Sequence, residues 1–230
     1  MPNPTTQPCV IVISGSVGSG KTTIALALAR VLGDAAVLIF DHYGTYVEWP
    51  TDMAQWMDAG ADPSQICVPR LTEDLLALRS GQAIIDPLDG KIIQPVSYII
   101  LEEPSGRERE EIRDYINLVV FIDVPQDVCV VRMIERTLDL ARWQSQGTFA
   151  GEASEALVRQ LDSVALWLAQ YHRARQMYLT VSRRVKAGAD VVVDGMLPVE
   201  DVVGEVRRKI EAHSAHKDAV AGAKGQAAGG

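Results

Sequence analysis

Cysteine is scarce in this chain: three in 230 residues, Cys9, Cys67 and Cys129, with no CxxC pair. That spacing indicates neither a zinc site nor a disulfide framework, so the three read as small core residues in a reducing compartment. Basic charge is short as well. Lys+Arg 22 against Asp+Glu 30 leaves a net charge of −8. Such a chain is a poor candidate for wrapping a nucleic-acid backbone or an anionic membrane, and any basic site must be local. No apolar run approaches the length of a bilayer span, and Met1–Pro8 lacks the basic start and apolar stretch of a signal peptide. A cytoplasmic protein without nucleic-acid or membrane partners is expected.

What is present suits one folded domain. A hydrophobic share of 47% with 23% charged residues excludes a disordered or collagen-like chain. Five short β-branched runs stand out: Val10–Ser14, Ala36–Phe40, Ser97–Leu101, Leu118–Ile122 and Asp190–Val193. They are continuous rather than alternating, the pattern of strands buried on both faces of a parallel sheet. Helical periodicity fills the gaps at Lys21–Leu32, Leu71–Arg79, Glu108–Tyr115, Asp127–Arg142, Glu155–Arg184 and Val199–Ala212. Strands alternating with helices predict an α/β fold with a five-stranded, mostly parallel sheet flanked by helices. Within Ala83–Gln94, Asp89-Gly90 between two apolar runs predicts a small β-hairpin insert with a tight turn. The expected organisation is a flexible start at 1–8, a domain at 9–213 and a disordered tail at 214–230.

Gly15-Ser16-Val17-Gly18-Ser19-Gly20-Lys21-Thr22 fits G-x-x-x-x-G-K-[ST], after a predicted strand and before a predicted helix. The spacing answers to phosphate chemistry. Glycines let backbone N–H groups turn inward around a phosphate, and the helix start adds the positive end of its dipole. Lys21 reaches the β- and γ-phosphates, and the Thr22 hydroxyl meets Mg²⁺. Composition alone would produce roughly three such matches per thousand chains of this kind. Residues 15–23, through Thr23, are therefore read as a nucleoside triphosphate site. No Asn-Lys-x-Asp or Leu-Ser-Gly-Gly-Gln segment occurs, which leaves a compact P-loop kinase or an ATP-driven switch.

Four predicted strands end in an acid: Asp41, Glu102, Asp123 and Asp194. Ligands of open α/β sheets bind beyond the strands' carboxyl ends, so these acids can hold a metal and a base there, or each can cap the next helix. Arg132 and Arg136 lie one helical turn apart and face one side. They form either a phosphate-facing pair or a solvated face paired with Glu135 and Asp139.

Taken together, the P-loop, Asp41-His42-Tyr43, Tyr98-Ile-Ile-Leu-Glu102, Phe121-Ile-Asp123-Val-Pro with Arg132 and Arg136, and Ala189-Asp190-Val-Val-Val resemble the uridine kinase/phosphoribulokinase group of P-loop kinases. The resemblance spans about Cys9 to Ala212. It implies an Mg²⁺-ATP-dependent phosphotransferase acting on a hydroxyl of a small metabolite of nucleoside, pentose or polyol type. Asp41 would take the acceptor proton. Glu102, with Thr22 and Asp41, would serve the metal, and Arg132 and Arg136 would sit in a lid over 132–153 whose flexible part is Arg142–Glu152. His42 and Tyr43 become candidates for acceptor contact, as do the aromatics Tyr46, Trp49 and Trp56, which packing of a small helical insert explains equally well. The loop Gly195–Pro198 resembles the group's adenine contact region. Members of the group often assemble into homo-oligomers.

Departures from the group's pattern matter too. The hairpin segment Asp86-Pro87-Leu88-Asp89-Gly90-Lys91 lacks the aromatics and the histidine that uridine kinases carry there, and downstream of the metal glutamate, where the group usually has a glycine, the chain reads Glu102-Glu103-Pro104-Ser105-Gly106-Arg107-Glu108-Arg109. Uridine as acceptor is not implied. Arg107 and Arg109 either bind an anionic group on the acceptor or pair with neighbouring glutamates. The rival to a kinase is an ATP-binding regulatory or accessory protein that phosphorylates no acceptor.

Overall fold

A computed structural model of the protein describes residues 7–145 and 150–227. Its main sheet comprises β1 (Cys9–Gly15), β2 (Ala35–Ile39), β5 (Tyr98–Glu102), β6 (Leu118–Asp123) and β7 (Val191–Asp194), in the order β2-β5-β1-β6-β7. Every pairing in it is parallel, from Ile11↔Ile100 and Ile13↔Val120 to Phe121↔Val192. The helices are α1 (Lys21–Leu32), α2 (Met53–Asp58), α3 (Pro69–Arg79), α4 (Glu110–Arg113), α5 (Gln126–Ser145), α6 (Ala150–Ala187) and α7 (Val199–Ala227).

Successive side chains on a strand point to opposite faces, so β1 feeds two cores. Val10 and Val12 join Leu38, Ile99 and Leu101 against Leu71, Leu75 and Leu78 of α3. Ile11 and Ile13 join Ile100, Val120 and Ile122 against Ile24 and Leu28 of α1 and Val206 and Ile210 of α7. The central strands β1, β5 and β6 are almost wholly buried, as their unbroken apolar runs predict. The edges differ: β2 alternates between buried and half-buried, and Val192 of β7 is exposed. An edge strand has a neighbour on one side only, so apolar continuity overstated its cover.

The hairpin is present, with β3 (Ile84–Ile85) antiparallel to β4 (Ile92–Ile93). Its turn takes in Asp89-Gly90 and is closed by Asp86 N–H to Lys91 O at 2.8 Å and Gly90 N–H to Asp86 O at 3.0 Å. Ile85 pairs with Ile92, leaving residues 86–91 as the loop, and the Asp86 carboxylate organises it by accepting from the backbone N–H of Leu88 and Asp89. A side-chain-capped loop satisfies the backbone groups that a tighter turn would have paired.

Helix α7 continues through 214–227 to Ala227, the stretch expected as a tail. That stretch is rich in alanine, the strongest helix former, and has no proline. Most of the expected flexible start, residues 1–6, lies outside the described residues, as do residues 146–149 of the expected lid, including Gly147. No described helix is long and apolar enough to cross a membrane.

Candidate active site

The P-loop leaves β1 at the carboxyl edge of the sheet and enters α1 at Lys21. Its shape requires glycine at two positions. Gly20 adopts φ 92° just before the helix, in the left-handed region. Gly18 has φ 85°, and a Cβ there would lie 2.4 Å from the Cys129 carbonyl oxygen of α5. The loop is thus pressed against the helix that carries Arg132 and Arg136. It closes on itself through Ser19 N–H to Ser16 O at 3.0 Å and is tied to α6 by Ser16 Oγ and Ser182 Oγ at 3.1 Å. Ser19 Oγ is buried and makes no hydrogen bond within the described structure.

Lys21 is only 9% exposed. Its Nζ donates to Ser16 O at 3.2 Å and stands 3.6 Å from Glu102 Oε1. Burial pushes the Glu102 carboxyl above the usual range; Lys21 opposes that shift, and Asp41 and Glu103 add to it. A carboxylate so placed gains from any further positive charge delivered to it. Its sign sets a prediction. With the folded pKa above the unfolded one, the contribution of Glu102 to stability is present at low pH and is lost as pH rises through the folded value. Glu102→Gln removes that titration, so its melting temperature should rise relative to wild type as pH climbs from about 4.5. Thermal melts of both proteins across pH 4–8 check it; a gap that stays constant or narrows contradicts it.

A cavity of about 550 Å³ opens over the loop. Lys21, Thr22, Thr23, Asp41 and Glu102 line one region of it, and Arg132 and Arg136 reach it from α5. Asp41 follows β2 in a 3-10 turn, Phe40–Tyr46, and the register Ile39↔Glu102 sets it beside the end of β5. Arg132 also donates to Gly195 O at 3.3 Å. There it borders a second hollow of about 230 Å³ formed with Ser19, Gly20, Thr23 and Leu197, which brings the loop after β7 next to the P-loop.

Several candidates lie elsewhere. Tyr43 is fully buried and donates its hydroxyl to Asp74 Oδ2 at 3.0 Å; burial, then Asp74, drives its phenol far above the normal range. It is a core residue. His42 Nδ1 meets Asp86 Oδ2 at 2.8 Å, joining the Asp41 turn to the hairpin rather than lining the cavity. Arg107 pairs with Asp190 at 2.7 Å and reaches Asn117 O, both at the amino edge of the sheet. Arg109 is fully buried against Glu103, 3.1 Å away, and near the Phe40 ring. The alternative of pairing with glutamates therefore holds for Arg109, though with Glu103 as well as Glu111. Of the four strand-end acids, Asp123 pairs with Lys186 at 2.7 Å and Asp194 accepts from Met196 N–H at 2.9 Å. Only Asp41 and Glu102 reach the cavity.

These placements make the two arginines a stability matter. Arg109→Leu leaves a buried carboxylate without its partner and should cost about 3–5 kcal/mol. Arg107→Ala breaks a partly exposed pair and should cost under about 1 kcal/mol. Urea unfolding of both variants checks the contrast, and equal losses would contradict it.

One wall of the cavity was not foreseen. Met177, Tyr178, Val181 and Ser182 of α6 line it. In sequence they are a short stripe at helical spacing, indistinguishable from an ordinary core face. Trp49 and Trp56 do line it, with ring centroids 6.4 Å apart and an interplanar angle of 72°, whereas Tyr46 does not.

No protein-family model matches the chain. The uridine kinase of Pasteurella multocida is 29% identical over 213 residues, covering 84% of this chain and 89% of that protein. The uridine kinase of Escherichia coli K12 is 30% identical over 203 residues, covering 80% of this chain and 86% of that one. The chain belongs to the uridine kinase family. It is a P-loop small-molecule kinase, with the parallel sheet and separate hairpin described above. Among solved structures, shikimate kinase from Aquifex aeolicus aligns with a TM-score of 0.43 at 18% identity, over 89% of this chain and 98% of that one.

Proposed function

We propose that this member of the uridine kinase family transfers the γ-phosphoryl group of ATP, with Mg²⁺, to a hydroxyl of a small metabolite in the cytoplasm, with no nucleic-acid partner. The observation that carries the reading is the meeting of Lys21, Thr22, Glu102 and Asp41 in one cavity over the P-loop.

The nucleotide phosphates lie in the loop of residues 15–23, against inward-facing N–H groups and the start of α1. Lys21 holds the β- and γ-oxygens, moving its charge from Ser16 O and Glu102 to the phosphate. Thr22 and Glu102 offer a hydroxyl and a carboxylate to the same space, the hard oxygen donors Mg²⁺ takes one or two of. When bound, Mg²⁺ neutralises charge on the phosphate oxygens. Asp41 aligns the acceptor hydroxyl and accepts its proton as the new P–O bond forms. Arg132 and Arg136, on the helix packed against Gly18, stabilise the spread negative charge of the moving group with planar donors. With α5 they act as a lid over the transferring group.

The test is whether ADP release depends on an acceptor. With Mg²⁺-ATP and a broad pool of alcohols, release should exceed acceptor-free hydrolysis by at least about tenfold. Tight ATP binding with no acceptor-stimulated release would favour a protein that uses ATP only as a ligand.

A further inference from the structure

Two consecutive side chains of the Asp41 turn leave the cavity and take hold of buried acids. Tyr43 donates its hydroxyl to Asp74 Oδ2 on α3 at 3.0 Å, and His42 Nδ1 meets Asp86 Oδ2 at the start of the hairpin loop at 2.8 Å. Asp74 and Asp86 are 6% and 5% exposed. A carboxylate only accepts, so Nδ1 of His42 carries the proton. Arg70 closes the circuit. Its Nε donates to both Asp74 carboxylate oxygens at 3.0 Å, and its Nη2 reaches Ile85 O, one residue before Asp86, at 3.4 Å. The turn, α3 and the hairpin are thereby joined in one ring of polar contacts, with Asp41 next to it in the chain.

The hairpin has little else to hold it. Ile84 is buried in the core and Ile93 packs partly against it, but Ile85, Leu88 and Ile92 are exposed. A two-stranded hairpin is marginal by itself. Asp86 serves it on two sides. Oδ1 takes the N–H groups of Leu88 and Asp89 and so shapes the loop, while Oδ2 faces His42. One carboxylate therefore sets both the hairpin loop and the residue next to the proposed base. A 3-10 turn has three residues per turn, so neighbouring side chains diverge by about 120°. Phe40 and Asp41 line the cavity, whereas His42 and Tyr43 do not. Anchoring 42 and 43 thus fixes where 41 points.

We infer that His42 and Asp86 are positioning residues for phosphoryl transfer: their contact makes the hairpin and the turn move as one body and fixes the direction of the Asp41 carboxylate. Neither lines the cavity, so both act through Asp41. The inference rests on the kinase reading for the role of Asp41. Misplacing a reacting group by about 1 Å can cost about 10²-fold in rate.

The test takes His42→Ala, His42→Asn, Asp86→Ala and the double variant His42→Ala/Asp86→Ala in the full chain, with Mg²⁺-ATP and pooled uridine, ribose and ribitol as probe acceptors. The His42 side chain is 20% exposed, so its truncation should fold. His42→Ala should lower acceptor-stimulated ADP release about 10–100-fold, while KM for ATP stays within about threefold of wild type. An asparagine amide can place an N–H where Nδ1 stood, so His42→Asn should recover most of the loss. The double variant should be no worse than Asp86→Ala alone, because both substitutions break one contact. Hydrogen exchange needs no turnover. In His42→Ala it should quicken at least about tenfold over both 40–46 and 86–91. Wild-type ADP release in His42→Ala, a loss confined to KM, additive losses in the double variant, no recovery with asparagine, or faster exchange in one segment or neither would each overturn the proposal. The two readings fail separately. An active wild type beside an equally active His42→Ala sinks this one alone, and a wild type whose ADP release the pool does not stimulate counts against the kinase reading while exchange still decides the coupling.

Discussion

Lys21→Ala should lower turnover at least about 10²–10³-fold, the scale on which a preorganised charge at the reacting group matters. The side chain is buried, 3.2 Å from Ser16 O and 3.6 Å from Glu102 Oε1. Its removal has two consequences. The transferring group loses a fixed positive charge in a site of low dielectric, where that charge is worth most. Glu102 also loses the one neighbour that favours its ionised form, leaving Asp41 and Glu103 to push its carboxyl further up. Single-turnover rates of the variant and the wild type measured side by side check the size of the loss. Wild-type turnover in this variant would remove the P-loop from the mechanism.

Asp41→Asn should abolish transfer, with a loss of about 10²–10⁴-fold, the range for a positioned general base. The amide keeps the size of the side chain and can still hydrogen-bond a hydroxyl, but it cannot take up the proton. Asparagine is also as good a cap or turn residue as aspartate. If Asp41 served only the turn Phe40–Tyr46, the substitution would be silent. Nucleotide affinity should stay within about threefold, since Lys21 and the loop glycines are untouched. The melting temperature should change little. Unaltered activity would assign Asp41 to the turn.

Sequence patterns were legible where one physical cause dominates. The P-loop was, because glycine, lysine and threonine at fixed spacing satisfy one ligand and little else. Helix α1, expected over Lys21–Leu32, is found there, opening after Gly20 and closing at Gly33. The order of strands and helices was legible for a similar reason, since β1, β5 and β6 are buried on both faces and carry unbroken apolar runs. Side-chain destinations were not. Tyr43 and Arg109 stand in or beside the right motifs, yet they point to Asp74 and Glu103. Only the three-dimensional partner distinguishes a buried ion pair from a ligand contact. The wall from α6 was invisible because Met177 and Tyr178 follow Trp49 by more than 120 residues, and nothing local marks which stripe of a 38-residue helix faces the cavity.

Product mass tests the central claim most directly. Purified chain with Mg²⁺-ATP would meet pooled nucleosides, pentoses, polyols and sugar phosphates, with Asp41→Asn run in parallel. The account predicts one or more acceptors gaining a single phosphate with the wild type and none with the variant. No phosphorylated product from any pool while ATP still binds, or the same product from Asp41→Asn at the wild-type rate, would contradict it.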